Sequence, residues 1–392
     1  MARRITLSFL KTEQASGLIL VLAAAMAIAL ANSAWADRYF AFVGHPITVQ
    51  VGGFRETLTV ADWVKHGLMA VFFFMAGLEI KFEILRGELS NPRSLALPLL
   101  AAAGGMVVPT GIYLFLNGSH GGAPHGWPTP VATDIAFALA ALAVAAPRLP
   151  PALRTFLLTL AIADDLGAVA LIAALFTTYI HPAAVLGAAA ALAAMALLGR
   201  LRRPPNLIYG ALFVVIWAFA LKSGINTSIA GVLAAMTIPI EPRRPGHSGV
   251  LHDFMESLHP YVAFMILPMF AFTAAGFSIR GLTIHELFSP VALGVALGLF
   301  VGKQVGVFAA AAIALGFKLA RRPTGSTWIE LYGCALLCGV GFTLSLYLGA
   351  LAFDPKDVVI QSEVRLGVLA GSLASALAGM AVLRWSQSRT TD

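Results

Sequence analysis

Charge is what this sequence has least of. Asp, Glu, Lys and Arg make up 11% of its 392 residues, against about 25% in soluble globular chains, and the shortage excludes an ordinary set of soluble domains. Cysteine occurs only twice, as Cys334 and Cys338. Spaced i, i+4 inside an apolar run, the two read as small packing residues rather than as a disulfide or a metal site. What the chain has instead is apolar side chains, 59% of the total, and a mean hydropathy of +0.84. A disordered chain, a disulfide scaffold or a nucleic-acid binder could not carry that hydropathy and still present a polar surface. The composition therefore predicts an all-α integral membrane protein with the lipid bilayer as its surroundings and no nucleic acid as partner.

A helix that crosses a bilayer needs about 20 mostly apolar residues. Twelve candidate spans fall near 15–33, 60–80, 95–116, 128–145, 151–178, 182–199, 206–220, 224–240, 257–276, 290–314, 328–353 and 361–383. The seventh and eighth are short. The first ends in Asn32-Ser-Ala-Trp-Ala36, a small-x-small pattern, but its apolar stretch exceeds the roughly 7 to 15 residues of a signal-peptide core and reads as a true first helix. Twelve spans place both termini on one side. Most of the 26 Lys and Arg residues belong to that side, among them Arg3, Arg4, Lys11, Arg86, Arg93, Arg148, Arg200, Arg202, Arg203, Arg243, Arg244, Arg321, Arg322 and Arg384, with fewer, such as Arg38, Arg55, Lys222 and Arg280, opposite. Both termini are expected in the cytoplasm, and the +7 formal charge is explained by orientation in the membrane. The whole of 1–392 reads as a single membrane domain.

Residues 45–60 are the one segment that reads as strand. Ile47-Thr-Val-Gln-Val51, Gly52-Gly53 and the run from Phe54 to Val60 form a hairpin pattern with a two-residue turn. A hairpin lying on the periplasmic surface has an open edge, which the same edge of a second copy would satisfy, so a homodimer is expected.

Ionisable residues inside a membrane cost at least about 2.5 to 3.5 kcal/mol each and call for a partner or a role. Asp134, Asp164, Asp165 and Lys303 lie within spans, with Glu79, Glu330 and Arg365 nearer span ends. Asp164 and Asp165 are adjacent in the fifth span, about 100° apart around a helix, so they need different partners. Two acids in low dielectric cannot both stay ionised uncompensated, which describes a site able to hold either protons or a metal cation. Lys303 is too deep in its span to reach water, and an internal carboxylate partner is expected. Pro128 and Pro130 break the fourth span just before Thr133 and Asp134, and Gly339 and Gly341 mark a matching defect in the eleventh. Such breaks are tolerated at depth only where protein or a watery cavity satisfies the backbone. Spans three to five (95–178) and ten to twelve (290–383) thus form two triplets, each with a broken middle member, starting on opposite sides of the membrane. Paired interruptions in inverted repeats point to a midplane ion site.

Ala132-Thr-Asp-Ile-Ala-Phe-Ala-Leu139, Ala163-Asp-Asp-Leu-Gly167, Leu221-Lys-Ser-Gly224, Leu258-His-Pro260 with Ile266-Leu-Pro268, and Cys338-Gly-Val-Gly-Phe-Thr343 together resemble the NhaA-type sodium/proton antiporters, a family that also serves as a standard example of inverted-repeat transporters. The resemblance runs from Ala15 to Ser372. It implies exchange of cytoplasmic Na+ or Li+ for external protons, two protons per cation and so electrogenic, by alternating access, with no cofactor. It implies that Asp165 is the principal cation-binding carboxylate, that Asp164 pairs with Lys303 when no cation is bound, and that Thr133 and Asp134 sit where two broken helices cross, Asp134 offsetting positive half-helix ends. Glu79 and Glu83, in Gly77-Leu-Glu-Ile-Lys-Phe-Glu83, resemble part of a cytoplasmic pH-responsive cluster. The chain departs from the pattern at Asn226, commonly His, at Met255-Glu256, usually Glu-His, at His66, usually Asp, and at Ala274, usually Asn. Two histidines able to titrate near neutrality are thereby lost, which bears on pH activation. Other classes fit less well. An intramembrane aspartyl protease would leave Lys303 and the broken helices unexplained, a cation channel is usually built from short subunits around an axis, and a sodium-coupled solute symporter would need an enlarged polar cavity near Asp134.

Overall fold

The computed structural model of the chain describes residues 2–87, 92–119, 122–177, 180–200, 206–240, 249–279, 286, 288–354 and 356–389. Arg202, Arg203, Arg243, Arg244 and Arg280, which entered the orientation argument, lie outside them, as do the side chains of Arg3, Arg4, Lys11 and Arg93. The elements in order are α1 (Ala2–Ala31), α2 (Ala36–Val43), β1 (Pro46–Val51), β2 (Phe54–Thr59), α3 (60–86), α4 (Pro92–Asn117), α5 (Ile135–Ala145), α6 (Pro151–Leu175), α7 (Pro182–Leu198), α8 (Asn206–Ser223), α9 (Thr227–Thr237), α10 (Val250–Ala275), α11 (Pro290–Gly316), α12 (Trp328–Leu337), α13 (Phe342–Ala352) and α14 (Val358–Arg389).

Among the described residues six helices are long and apolar enough to cross a membrane: α4 from Leu95, α6, α8, α10, α11 and α14. Three bent pairs raise the number to nine: Ala15–Ala31 with α2 at 118°, Pro124–Val131 with α5 at 43°, and α12 with α13 at 42°. Twelve were expected. The difference has a physical cause: α3 carries Asp62 and Lys65 at one end and Glu79, Lys81, Glu83 and Arg86 at the other, and α7 and α9 are too short to qualify alone. The strand expectation is met by one antiparallel pair with Val51 opposite Phe54 and Pro46 opposite Thr59. Gly52 turns the chain with φ at 57°, a conformation that costs a side-chain-bearing residue and suits the first position of a two-residue hairpin turn.

The chain forms two compact units, one of Met1–Ser33, Asn91–Ala168 and Ala274–Asp392, the other of Ala34–Ser90 and Val169–Thr273. The first packs through small side chains. Its core gathers Ala101, Ala138, Ala141, Leu153, Leu157, Ala311, Cys334 and Leu337 among others, so the two cysteines are indeed buried packing residues. Helices α4 and α11 touch backbone to backbone: a Cβ on Gly306 would stand 2.2 Å from Gly104 O, and one on Gly104 2.3 Å from Gly306 O. With no hydrophobic drive between helices in lipid, such close small-residue contacts are what holds them together. The second unit packs through large rings as well. Phe74 lies 4.9 Å from Phe213 and 5.9 Å from Phe254, over a core that includes Tyr209, Met195 and Leu251.

Candidate functional site

The site belongs wholly to the first unit and begins with two interruptions. Pro128 precedes the short turn Thr129–Val131 and Pro130 lies within it, and the chain then leaves Ala132 extended at ψ 150° and Asp134 at ψ 100° before α5 begins. Between α12 and α13 the break falls at Cys338 to Gly341. Gly341 has φ −88°, which any residue could adopt. The glycines are there for closeness rather than for backbone freedom: a Cβ on Gly339 would meet Leu299 O at 2.5 Å, and one on Gly341 would meet Ala132 O at 2.9 Å.

The two interruptions satisfy each other. Asp134 N–H donates to Val340 O at 2.6 Å, and Thr133 Oγ1 donates to Cys338 O at 2.8 Å. The Asp134 carboxylate caps both following half-helices. Its Oδ1 accepts from Phe137 N–H of α5 at 3.1 Å, while Oδ2 accepts from Thr343 N–H of α13 at 3.1 Å and from Thr343 Oγ1 at 2.5 Å. The first amide of α13, Phe342 N–H, goes to Ser372 Oγ of α14 at 3.1 Å. A helix N-terminus presents orphan amides and about half a positive charge, so one buried anion shared by two N-termini supplies both hydrogen-bond acceptors and charge balance. Asp134 is 2% exposed.

Asp164 and Asp165 lie at the centre of α6, at 0% and 7% exposure. Lys303 Nζ reaches Asp164 Oδ2 at 2.5 Å with neither side chain exposed, and Thr133 Oγ1 meets the same oxygen at 2.6 Å. Thr133 has one hydroxyl proton and two acceptors, Asp164 Oδ2 and Cys338 O, and can donate to only one at a time. Asp164 Oδ1 is buried and accepts no hydrogen bond among the described residues. The Asp164 carboxylate, the Thr133 hydroxyl and the Cys338 carbonyl are hard oxygens of the kind a small cation takes, with an ammonium already on one of them, and Asp165 follows Asp164 in the helix. Gly105 of α4 lets that helix lie close to α11, since a Cβ there would stand 2.8 Å from Val307 Cγ2.

Thr133, Asp134, Asp164, Asp165 and Lys303 are thus gathered in one unit. Glu79, Glu83 and Glu256 are not among them. Glu79 and Glu83 are half-buried one turn apart on α3, and Glu256 pairs with His252 on α10 at 3.1 Å, with exposures of 70% and 52%. Lys81 of α3 donates to Met236 and Ile238 carbonyls, both at 2.6 Å, closing the end of α9. Asn226 caps the start of α9, its side chain accepting from Ser228 N–H at 2.9 Å. Glu330 completes a capping box with Thr327 at the head of α12, and Arg365 donates to Gly276 O at 2.9 Å. Thr343 and Ser372 were missed as site residues. For Thr343 a hydroxyl at a helix start was the available signal, Ser372 within α14 offered none, and the partners of both are remote in the chain.

A family model described as Na+/H+ antiporter 1 matches residues 7–383. A protein of Magnetococcus marinus called Na(+)/H(+) antiporter NhaA 2 is 44% identical over 383 residues, covering 96% of this chain and 96% of its own. The Na(+)/H(+) antiporter NhaA of Nitrobacter hamburgensis is 47% identical over 378 residues, 96% and 90% of the two chains. A second NhaA 2, of Pseudomonas savastanoi pv. phaseolicola, is 48% identical over 380 residues, 96% and 94%.

Proposed function

We propose how exchange works from one premise: this chain belongs to the Na+/H+ antiporter family, and it is a multi-pass membrane transporter that exchanges Na+ for H+. Asp164 and Asp165 carry the cation and the protons in turn. The observation that supports this most is the convergence of Lys303 Nζ and Thr133 Oγ1 on one oxygen of a fully buried Asp164, beside a second buried acid. Unit charges 4 Å apart attract by about 4 kcal/mol at an effective dielectric of 20, so the ammonium is a real competitor for the carboxylate, and Na+ or Li+ must displace it. Protons compete for the same two acids. One site that cannot hold both cargoes couples their movements without simultaneous binding, and alternating access needs only that each cargo favour a different opening. Two protons inward for one Na+ outward moves net charge, so the membrane potential drives the cycle.

The finer architecture belongs to the same proposal. Counting α3, α7 and α9 with the nine spans makes twelve, with both termini cytoplasmic in the inner membrane and 95–178 related to 290–383 by an inverted repeat. A second copy pairs along the hairpin, whose strand β1 leaves Val51 71% and Ile47 42% exposed.

Everted vesicles with a respiration-generated proton gradient test the exchange and its site. Na+ or Li+ should collapse the gradient in vesicles carrying the parent chain, K+ should not, and Asp165→Asn should be inert. Sodium-dependent collapse retained by Asp165→Asn would move the site elsewhere.

A further inference from the structure

One polar pair, a buried amide and a half-buried phenol, stands in the same unit as the site. Gln304 follows Lys303 directly and is 8% exposed. The turn in front of them, Gly298–Gly302, is π-helical, with Lys303 N–H reaching back to Gly298 O. Widening a helix by one residue leaves a backbone carbonyl over, and buried carbonyls demand a donor. Gln304 Nε2 donates to Phe300 O at 2.8 Å. Its other end, Oε1, accepts from Tyr332 OH at 2.5 Å, and Tyr332 stands on α12, one and a half turns before the Cys338 carbonyl that receives Thr133. The Tyr332 ring is itself held edge-on to Phe308, centroids 5.2 Å apart. Gly298 and Gly302 let the widened turn lie against α4 and the Pro128–Pro130 turn: a Cβ on Gly298 would stand 2.8 Å from Pro130 Cβ, and one on Gly302 2.7 Å from Pro109 Cα. Were this turn α-helical, Lys303 would rotate by about 100° relative to the residues before it, away from Asp164.

We propose that Gln304 and Tyr332 are positioning residues for exchange: the amide bridges a carbonyl of the π turn to the broken helix and so holds Lys303 in the direction of Asp164. The inference rests on the reading of Asp164 and Lys303 as parts of the cation site.

The test is a pair of double-mutant cycles on purified full-length protein in detergent, with Tyr332→Phe, which removes one oxygen, and Gln304→Met, which keeps the shape and removes both bonds, each made in the parent and on Lys303→Ala. Two quantities are read, the midpoint of heat unfolding and the apparent Kd for radioactive Na+. If the pair acts through Lys303, each substitution lowers the unfolding midpoint in the parent and by less than half as much on Lys303→Ala. The Na+ Kd should move by roughly threefold or more in the parent and not on Lys303→Ala, the size of effect usual for residues in one network. Equal effects in both backgrounds would reduce the pair to ordinary packing and overturn the proposal, as would no effect in either. Lys303→Ala with the parent's Na+ affinity would instead overturn the cation-site reading, while the unfolding cycle still decides the role of Gln304 and Tyr332.

Discussion

The two units treat polar groups in opposite ways. In the first, four ionisable side chains are buried at 0 to 7% exposure, Asp164, Asp165 and Lys303 deep within helices and Asp134 at the break before α5. In the second, the ionisable groups sit near helix ends: Lys81 closes α9 through two carbonyls, and His252 and Glu256 face solvent. The contrast teaches what a buried charge needs. Desolvation costs several kcal/mol per ion, and only converging partners offset it. In the first unit the partners are created by breaking two helices, which frees the amides and carbonyls that Asp134 and Thr133 then use. Unbroken helices have no such groups to offer.

The sharpest test of that contrast compares two caps. Asp134 accepts from the starts of two helices, whereas Asn226 caps the start of one, accepting from Ser228 N–H. Asp134→Ala should cost about 3 to 5 kcal/mol, leaving buried amides of two helices unsatisfied, and Asn226→Ala about 1 kcal/mol. Heat unfolding in detergent measures both. Asp134→Asn keeps an acceptor oxygen for one helix start but turns an amide donor toward the other, and it no longer offsets their positive ends. Its loss should fall between those of Asn226→Ala and Asp134→Ala, and a loss as small as that of Asn226→Ala would mean that one acceptor suffices for both breaks.

A second comparison concerns glycine. Gly306→Ala sets a Cβ 2.2 Å from the backbone oxygen of Gly104, and neither helix can yield without opening the crossing beside Lys303, so a loss of about 1 to 3 kcal/mol is expected. Gly210 of α8 has nothing within 4 Å of an added Cβ, and Gly210→Ala should stabilise by up to about 1 kcal/mol through helix propensity. Equal midpoints for the two variants would show that the α4–α11 contact is not a determinant of the first unit.

How far the sequence reveals these features follows from the range of each interaction. The helix breaks were legible because Pro128, Pro130, Gly339 and Gly341 act locally, and Lys303 could be assigned an acid partner because its depth leaves no other outlet. The hairpin was legible from Gly52-Gly53. Gly339 and Gly341 mark the break and also permit close approach, and the latter depends on Leu299 and Ala132 far along the chain. The π turns at Val64–Leu68, Val262–Ile266 and Gly298–Gly302 leave no periodic trace, since one added residue shifts an apolar pattern by less than these uniformly apolar helices reveal. Thr343, Ser372, Gln304 and Tyr332 meet partners 28 to 209 residues distant. No local spacing rule reaches that far.

A third comparison uses the hairpin. Gly52→Ala forces a side chain into the left-handed region, at a cost of about 1 to 2 kcal/mol to the turn. If the edge of β1 and β2 joins two copies, the dimer fraction measured by light scattering in detergent should fall while vesicle exchange at saturating Na+ persists in the monomer. An unchanged dimer fraction in a variant whose hairpin has loosened would place the interface elsewhere.

The smallest effects should separate the acids of the second unit from one another. Glu79 is half-buried on α3, one turn from Glu83, so removing its charge changes a repulsion that solvent screens poorly. Glu256 stands 70% exposed beside His252, where an ion pair contributes little because water and salt screen it. Glu79→Gln should therefore move the midpoint of the pH–activity curve in vesicles over pH 6 to 9, and Glu83→Gln should move it in the same sense, while Glu256→Gln should leave it within the scatter of the parent. Asn226 already caps α9 without a titratable ring, so Asn226→His asks whether that position can report protons at all. A shift from Asn226→His larger than that from Glu79→Gln would mean that the start of α9, and not the pair on α3, is where this unit senses pH.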